Sequence, residues 1–168
     1  SLNVNGLPSF GKMSNDEQLS SHLADIINRI QPDMILLQEI KTHMHTIAKM
    51  TSMLTTLARN GFIYNHFNTC EDPTRGYSGT ATLSRIKIEK TTKGLTPNEK
   101  DDEGRVIVSH LCGLIVVNNY TPTSGMLDEA TGDHPRKSFR KSFDENLLKL
   151  LQKLKKEIHI LKNPYLRV

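Results

Sequence analysis

The stretch Pro32-Asp33-Met34-Ile35-Leu36-Leu37-Gln38-Glu39-Ile40-Lys41 decides the fold. Asp33 to Leu37 is a short, nearly continuous apolar run bounded by polar residues. It has no alternation and is too brief for a helix, which is the pattern of a buried, parallel strand covered on both faces. Its C-terminal end is Gln38-Glu39. A carboxylate at that edge of a parallel strand lies where α/β sheets gather ligands. Magnesium takes a few carboxylates together with waters and phosphate oxygens, so Glu39 is a candidate anchor. Standing alone, a glutamate there is more often a solvated strand end.

Towards the N-terminus, Ser1-Leu2-Asn3-Val4-Asn5 alternates apolar and polar residues and stops at Gly6, as a strand entering a loop does. Ser14-x-x-Glu17 is a capping box. Leu19, Leu23, Ile26, Ile27 and Ile30 then recur at helical spacing up to Pro32. Beyond Lys41, residues Met44, Ile47, Met50, Leu54 and Leu57 fall on one face of a single predicted helix that Gly61 closes.

From Phe62 the period drops to two. Strands are predicted at 62–67, 79–84 and 86–90, and a hairpin of 105–111 with 114–119 turns at Cys112-Gly113. Residues 121–135 form a loop rich in Gly, Pro, Asp and Thr. A last helix is predicted over 137–156, with Phe139, Phe143, Leu147, Leu150, Leu151 and Leu154 on one face, followed by a strand beginning at Ile158. The order β-α-β-α, then antiparallel strands, then α-β predicts an α/β fold built as a sandwich with mixed sheets, in one domain over 1–168.

Apolar residues are 36% and charged residues 24%, a globular balance. No apolar run approaches the ~18 residues of a membrane-spanning helix, so no membrane partner is expected. Cys70 and Cys112 are far apart and belong to no partner motif. They read as free thiols of a reducing compartment, with a disulfide left open. His43 and His45, at i, i+2 on the predicted helix, are expected to diverge rather than share a metal.

The net charge of +4 is unevenly divided. Residues 1–134 hold 12 Lys/Arg against 15 Asp/Glu, a balance of −3, and residues 135–168 hold 10 against 3, a balance of +7. Such a basic C-terminal segment suits a polyanion or is a solvated lysine-rich helix face. Asn3 and Asn5, just after a strand, can orient a phosphate or a water, or simply cap the turn at Gly6. Tyr120 follows the apolar strand 114–117, where its hydroxyl can donate to a phosphate oxygen.

Taken in order, these pieces resemble one family. Asn3-Val4-Asn5-Gly6-Leu7 and the 32–41 stretch are similar to the opening motifs of exonuclease III and the apurinic/apyrimidinic endonucleases. Gly76-Tyr77-Ser78-Gly79, Glu103-Gly104-Arg105-Val106-Ile107 and Asn119-Tyr120-Thr121-Pro122 with Gly125 resemble their later blocks, and Phe143-Asp144-Glu145 their aromatic-acid helix start. The Gln-Glu motif alone would admit inositol phosphatases, sphingomyelinases and deadenylases. The Gly-Tyr-Ser-Gly and Glu-Gly-Arg blocks narrow the resemblance to the DNA-repair branch.

The resemblance implies a four-layer α/β sandwich and a DNA repair nuclease of base-excision repair. That enzyme cuts double-stranded DNA 5′ to abasic sites with magnesium, or with manganese in its place, and acts as a monomer when complete. It implies a metal site of Glu39, Asn3 and Asn5, with Glu39 the magnesium ligand and Asn3 beside the metal, and a catalytic group of Asn3 and of Tyr120, which contacts the scissile phosphate. Arg75, Tyr77 and Arg105 lie in blocks that face DNA or brace the loops that do. Nucleus or cytoplasm is the expected compartment, with an organelle the alternative.

The resemblance also implies residues that this sequence lacks. A Gly-Asp-x-Asn motif is expected after the strand at Ile158, and a Ser-Asp-His segment later. The chain reads Lys162-Asn163-Pro164-Tyr165-Leu166-Arg167-Val168 instead. Leu2 replaces the usual aromatic, Thr123 a usual Asn, and the loop 126–135 is longer and more acidic than usual. The expectation is therefore an N-terminal part of the domain, inactive or nearly so by itself, with an uncovered apolar face and sheet edge. The alternatives are a retroelement-type endonuclease domain and a non-catalytic relative that binds nucleic acid through 135–168.

Overall fold

The computed structural model describes residues 1–7, 16–72, 76–97 and 100–162, with side chains described as far as 158. The described chain divides into two compact units, one of residues 1–94 and 101–120, the other of 95–100 and 121–168.

The first unit contains two sheets. Strands β1 (Leu2–Asn3), β2 (Met34–Gln38), β3 (Tyr64–Asn68) and β4 (Thr80–Ser84) form one sheet in the order β1-β2-β4-β3. β1 runs parallel to β2, while β4 is antiparallel to both of its neighbours, so the sheet is mixed. The expected parallel environment of the 34–38 strand thus holds on one side only. Strands β5 (Lys90–Lys93), β6 (Val106–Leu111) and β7 (Leu114–Asn119) form a second, antiparallel sheet in that order.

Alternation along the strands divides the work of the first sheet's faces. Leu37, Ala81 and Phe67 share one register row, and Ile35 and Leu83 pair in the next. These five residues are buried with Leu19, Leu23 and Ile27 of α1 (Asp16–Ile30) and with Met53 and Leu57 of α3 (Thr51–Arg59). The opposite face of β4 carries Thr80, Thr82 and Ser84, all fully buried. There small hydroxyl residues meet polar groups: Thr80 Oγ1 donates to the Gly104 carbonyl at 3.0 Å. Asn118 of β7 donates through Nδ2 to the carbonyls of Ala81 (2.8 Å) and Leu37 (3.3 Å), so one amide ties the second sheet to two strands of the first.

The single helix predicted after Lys41 is two helices, α2 (Met44–Ile47) and α3. The break at Met50 has a tertiary cause. Asp16, in the first turn of α1, accepts hydrogen bonds from the amides of Ser52 (2.7 Å) and Met53 (3.0 Å). A carboxylate from another helix thereby caps α3, whose own N-cap residue Met50 makes no side-chain cap. Gly61 ends α3 as expected, with Gly61 N donating to Ala58 O at 3.0 Å and Phe62 N to Leu57 O at 2.9 Å, a Schellman closure.

Three further expectations are corrected. The strand foreseen at 86–90 lies at β5, Lys90–Lys93, because Ser84 Oγ bonds both the amide and the carbonyl of Ile86 and turns the chain there. His43 precedes α2 in extended conformation, so its ring stacks on His45, centroids 5.6 Å apart, instead of diverging. The strand expected from Ile158 is helix: α4 runs from Lys137 to Lys162, with Phe143-Asp144-Glu145 inside it and not at its start. Nothing between Lys156 and Lys162 breaks a helix, and the next proline is Pro164. The proposed cap residue Ser14 lies outside the described residues.

In the second unit, α4 buries Phe143 and Leu154, three turns apart on the predicted stripe, and leaves Phe139, Leu148 and Leu151 exposed. Arg140 anchors its first turns to the preceding loop through Nη1 to the Pro122 carbonyl at 3.0 Å. Neither Cys70, which is buried, nor Cys112, which is exposed, forms a disulfide among the described residues. No described helix is long and apolar enough to cross a membrane.

Candidate active site

The candidate site forms where the loops after β1 and β2 leave the first sheet side by side. Val4 N donates to Gln38 O (3.0 Å), Gly6 N to Glu39 O (2.6 Å) and Leu7 N to Ile40 O (2.8 Å), so strand-like pairing continues past the end of β1. On the other side Ile40 N bonds Gly79 O (3.2 Å) and Lys41 N bonds Ser78 O (2.9 Å). Within this frame Asn5 (φ 48°), Glu39 (φ 55°), Lys41 (φ 46°) and Ser78 (φ 54°) hold left-handed backbone conformations. Such residues persist where the surroundings over-determine them, and they concentrate at functional sites. Gly79 (φ 83°) is required here, because a Cβ would lie 2.7 Å from Cγ1 of Ile40.

Three side chains converge on one carboxylate beside these turns. Asn3 Nδ2 and the Tyr120 hydroxyl both donate to Glu39 Oε1, each at 2.7 Å. Lys41 Nζ lies 2.9 Å from Glu39 Oε2 and also donates to Asn5 Oδ1. Asn3 Oδ1 accepts the Asn5 amide at 3.1 Å, which fixes the Asn3 rotamer. Glu39 is held at a pKa of about 2, first by the Asn3 amide, against the opposing effect of burial, and further by the Tyr120 hydroxyl and by Lys41. Tyr120 is pushed up by burial and by its bond to Glu39, so its phenol stays a proton donor at neutral pH.

Arg105 and Glu103 fix Tyr120 in turn. Arg105 donates through Nη1 to the Tyr120 carbonyl (3.0 Å), its guanidinium lies 4.8 Å from the Tyr120 ring centroid, and Tyr120 N returns a bond to Arg105 O (2.8 Å). Glu103 holds Arg105 from the other side through Oε2, while its Oε1 accepts the Tyr77 hydroxyl at 2.5 Å. Arg105 is only 4% exposed. Of the two roles foreseen for it, this placement is that of a brace, with the guanidinium enclosed by Glu103 and Tyr120. Tyr77 joins the same brace through Glu103, and Arg75 lies outside the described residues.

Asn3, Asn5, Glu39 and Tyr120 are therefore brought together as the sequence suggested. Three contributors were missed. Lys41 sits two residues after Glu39 in the deciding stretch, Glu103 opens the Glu-Gly-Arg block, and Asn118 accepts Gln38 Nε2 at 2.7 Å beside the site. Each carried a signal as a polar residue inside a quoted motif or, for Asn118, inside an apolar strand, but none indicated its partner.

Among the described residues, Glu39 is the carboxylate that Asn3, Lys41 and Tyr120 share. Among the described residues there is no group of three or more His, Cys, Asp or Glu that could hold a metal ion. Yet Glu39 Oε2 and Asn5 Oδ1 already grip a cation, the Lys41 ammonium. Hard oxygen donors that accept an ammonium suit a magnesium ion completed by water and phosphate oxygens.

At the centre of this arrangement is a sheet-borne carboxylate hydrogen-bonded by an amide and a phenol and paired with an ammonium. The chain belongs to the Endonuclease/Exonuclease/phosphatase family, whose profile matches residues 1–159. It is similar to a DNA-(apurinic or apyrimidinic site) endonuclease of Dictyostelium discoideum, with 30% identity over 132 residues, covering 79% of this chain and 34% of that protein. It is also similar to the DNA repair nuclease APEX1 of Danio rerio, with 28% identity over 145 residues, 86% of this chain and 40% of that protein.

Among solved structures, a 3'-5' exonuclease (NExo) from Neisseria meningitidis superposes with a TM-score of 0.67 at 21% identity, covering 92% of this chain and 51% of that one. An AP endonuclease from Archaeoglobus fulgidus gives 0.66 at 22%, covering 90% and 49%. These likenesses establish the mixed α/β fold. The chain spans about two-fifths or less of the length of these curated relatives and about half of the solved chains.

Proposed function

We propose that this chain carries the Glu39 half of the active site of a DNA repair nuclease, one that hydrolyses the backbone of double-stranded DNA 5′ to an abasic site with magnesium. The observation that carries the reading is the convergence of Asn3, Tyr120 and Lys41 on the two oxygens of Glu39. The names of the curated relatives support the substrate class, and a related Neisseria structure was solved bound to a product DNA hairpin.

In this reading Glu39 and Asn5 would hold the ion, which would withdraw charge from the scissile phosphate. Asn3 orients Glu39, with its Nδ2 bonded to Oε1 and its Oδ1 taken up by the Asn5 backbone amide. Tyr120, protonated and braced by Arg105, donates to a phosphate oxygen after releasing Glu39. The basic segment 135–168 neutralises backbone charge, so binding weakens steeply with salt. By itself the 168-residue chain is expected to be inactive or nearly so, because a missing acid/base group alone costs ~10²–10⁴-fold.

The test is to sequence the transcript through both ends and incubate its full product with a duplex carrying one abasic site, in magnesium and in EDTA. Magnesium-dependent incision that disappears in Glu39→Ala is the expected result. Salt-dependent DNA binding with no incision under any condition would reject the catalytic reading in favour of a nucleic-acid-binding role for 135–168.

A further inference from the structure

Lys41 has no task in the proposed hydrolysis, yet it is held at the site by two oxygens. Its ammonium sits between Glu39 Oε2 and Asn5 Oδ1, the two oxygens that the proposed ion requires. The other carboxylate oxygen, Oε1, is already engaged by Asn3 and Tyr120. Glu39 and Lys41 are both more enclosed than ordinary surface groups, their side chains 18% and 31% exposed. The amide of Asn5 is neutral, so the Glu39–Lys41 pair carries no surplus negative charge to draw in a divalent cation.

We propose that Lys41 is a tethered competitor for the metal: a divalent ion binds Glu39 and Asn5 only by displacing the Lys41 ammonium, which sets the metal affinity of the site. This rests on the reading of Glu39 as the metal anchor. The physical basis is simple. Two cations cannot share one carboxylate oxygen and one amide oxygen at contact distance, and their repulsion is large where water is partly excluded. Removing the lysine charge therefore strengthens metal binding. A lysine that merely positioned Glu39 for the ion would give the opposite result, weaker binding on its removal.

The experiment is a titration of the 168-residue chain with Mn²⁺, following free Mn²⁺ by electron paramagnetic resonance, with no substrate and no turnover. Wild type is compared with Lys41→Met and Lys41→Gln, the second of which keeps a donor towards Asn5, and each is checked for a cooperative melt. Both variants are expected to bind Mn²⁺ at least about tenfold more tightly than wild type, and Lys41→Arg no more tightly. The gain should vanish in Glu39→Gln/Lys41→Met, which localises the ion. Equal or weaker binding in the folded neutral variants, or a gain that survives loss of Glu39, overturns the competition while leaving the anchor reading to its own incision test. Failure of every variant to bind Mn²⁺ at millimolar concentration overturns both.

Discussion

Arg105→Met tests the bracing of the site, because this residue joins stability to the placement of Tyr120. The guanidinium is buried against Glu103, whose side chain is 18% exposed, and against the carbonyl and ring of Tyr120. Removing one member of a buried pair strands the other, which typically costs about 3–5 kcal/mol, whereas an exposed pair is worth about 1 kcal/mol at most. Glu103 keeps the Tyr77 hydroxyl and some water, so the cost belongs at the lower end, about 3 kcal/mol. For a chain of this length that lowers Tm by roughly 6–12 °C.

Urea and thermal melts of wild type, Arg105→Met, Glu103→Gln and the double variant would form a double-mutant cycle. The double variant should be less destabilised than the sum of the singles, since no charge is left stranded. Arg105→Lys should recover only part of the loss, because an ammonium lacks the fork and the stacking plane. A single-variant cost under about 1 kcal/mol, or strict additivity in the cycle, would refute the reasoning.

Asp16→Ala removes the acceptor of the Ser52 and Met53 amides and should cost about 1–2 kcal/mol, read as a fall in the urea midpoint, with Asp16→Asn losing less. Gly104→Ala should prevent cooperative folding, because a Cβ would stand 2.4 Å from the Asn68 carbonyl oxygen at φ 64°; a near-native melt would contradict the assigned turn. Glu39 has a folded pKa of about 2, below the 4.5 of an unperturbed carboxyl. Its depressed value means that its stabilisation is complete above about pH 4.5 and is lost as pH falls towards 2. The stability gap between wild type and Glu39→Gln should accordingly shrink over that window in pH-dependent urea melts.

Apolar spacing marked α1 and most strands of both sheets before any coordinates were needed. The motif residues Asn3, Asn5, Glu39 and Tyr120 were legible as one site only through the family resemblance, since taken singly each fits a strand end, a turn cap or an interface aromatic equally well. Local pattern failed where a distant group intervened. The 44–57 stripe is periodic enough for one helix, but Asp16, far back in the chain, starts a new one at Thr51. Ile158–Leu161 has the composition of a strand and continues a helix already under way, because propagation costs less than nucleation.

At the site, the inward turn of Arg105 and the hold of Lys41 on the cation position came from packing and from no local signal. A basic side chain in a motif announces charge without saying which carboxylate it will meet. That choice depended on the left-handed turns at Asn5, Glu39 and Lys41. They exist because two loops and the Ser78-Gly79 segment pair with one another, an arrangement set by the packed sheet and not by any of the three segments alone.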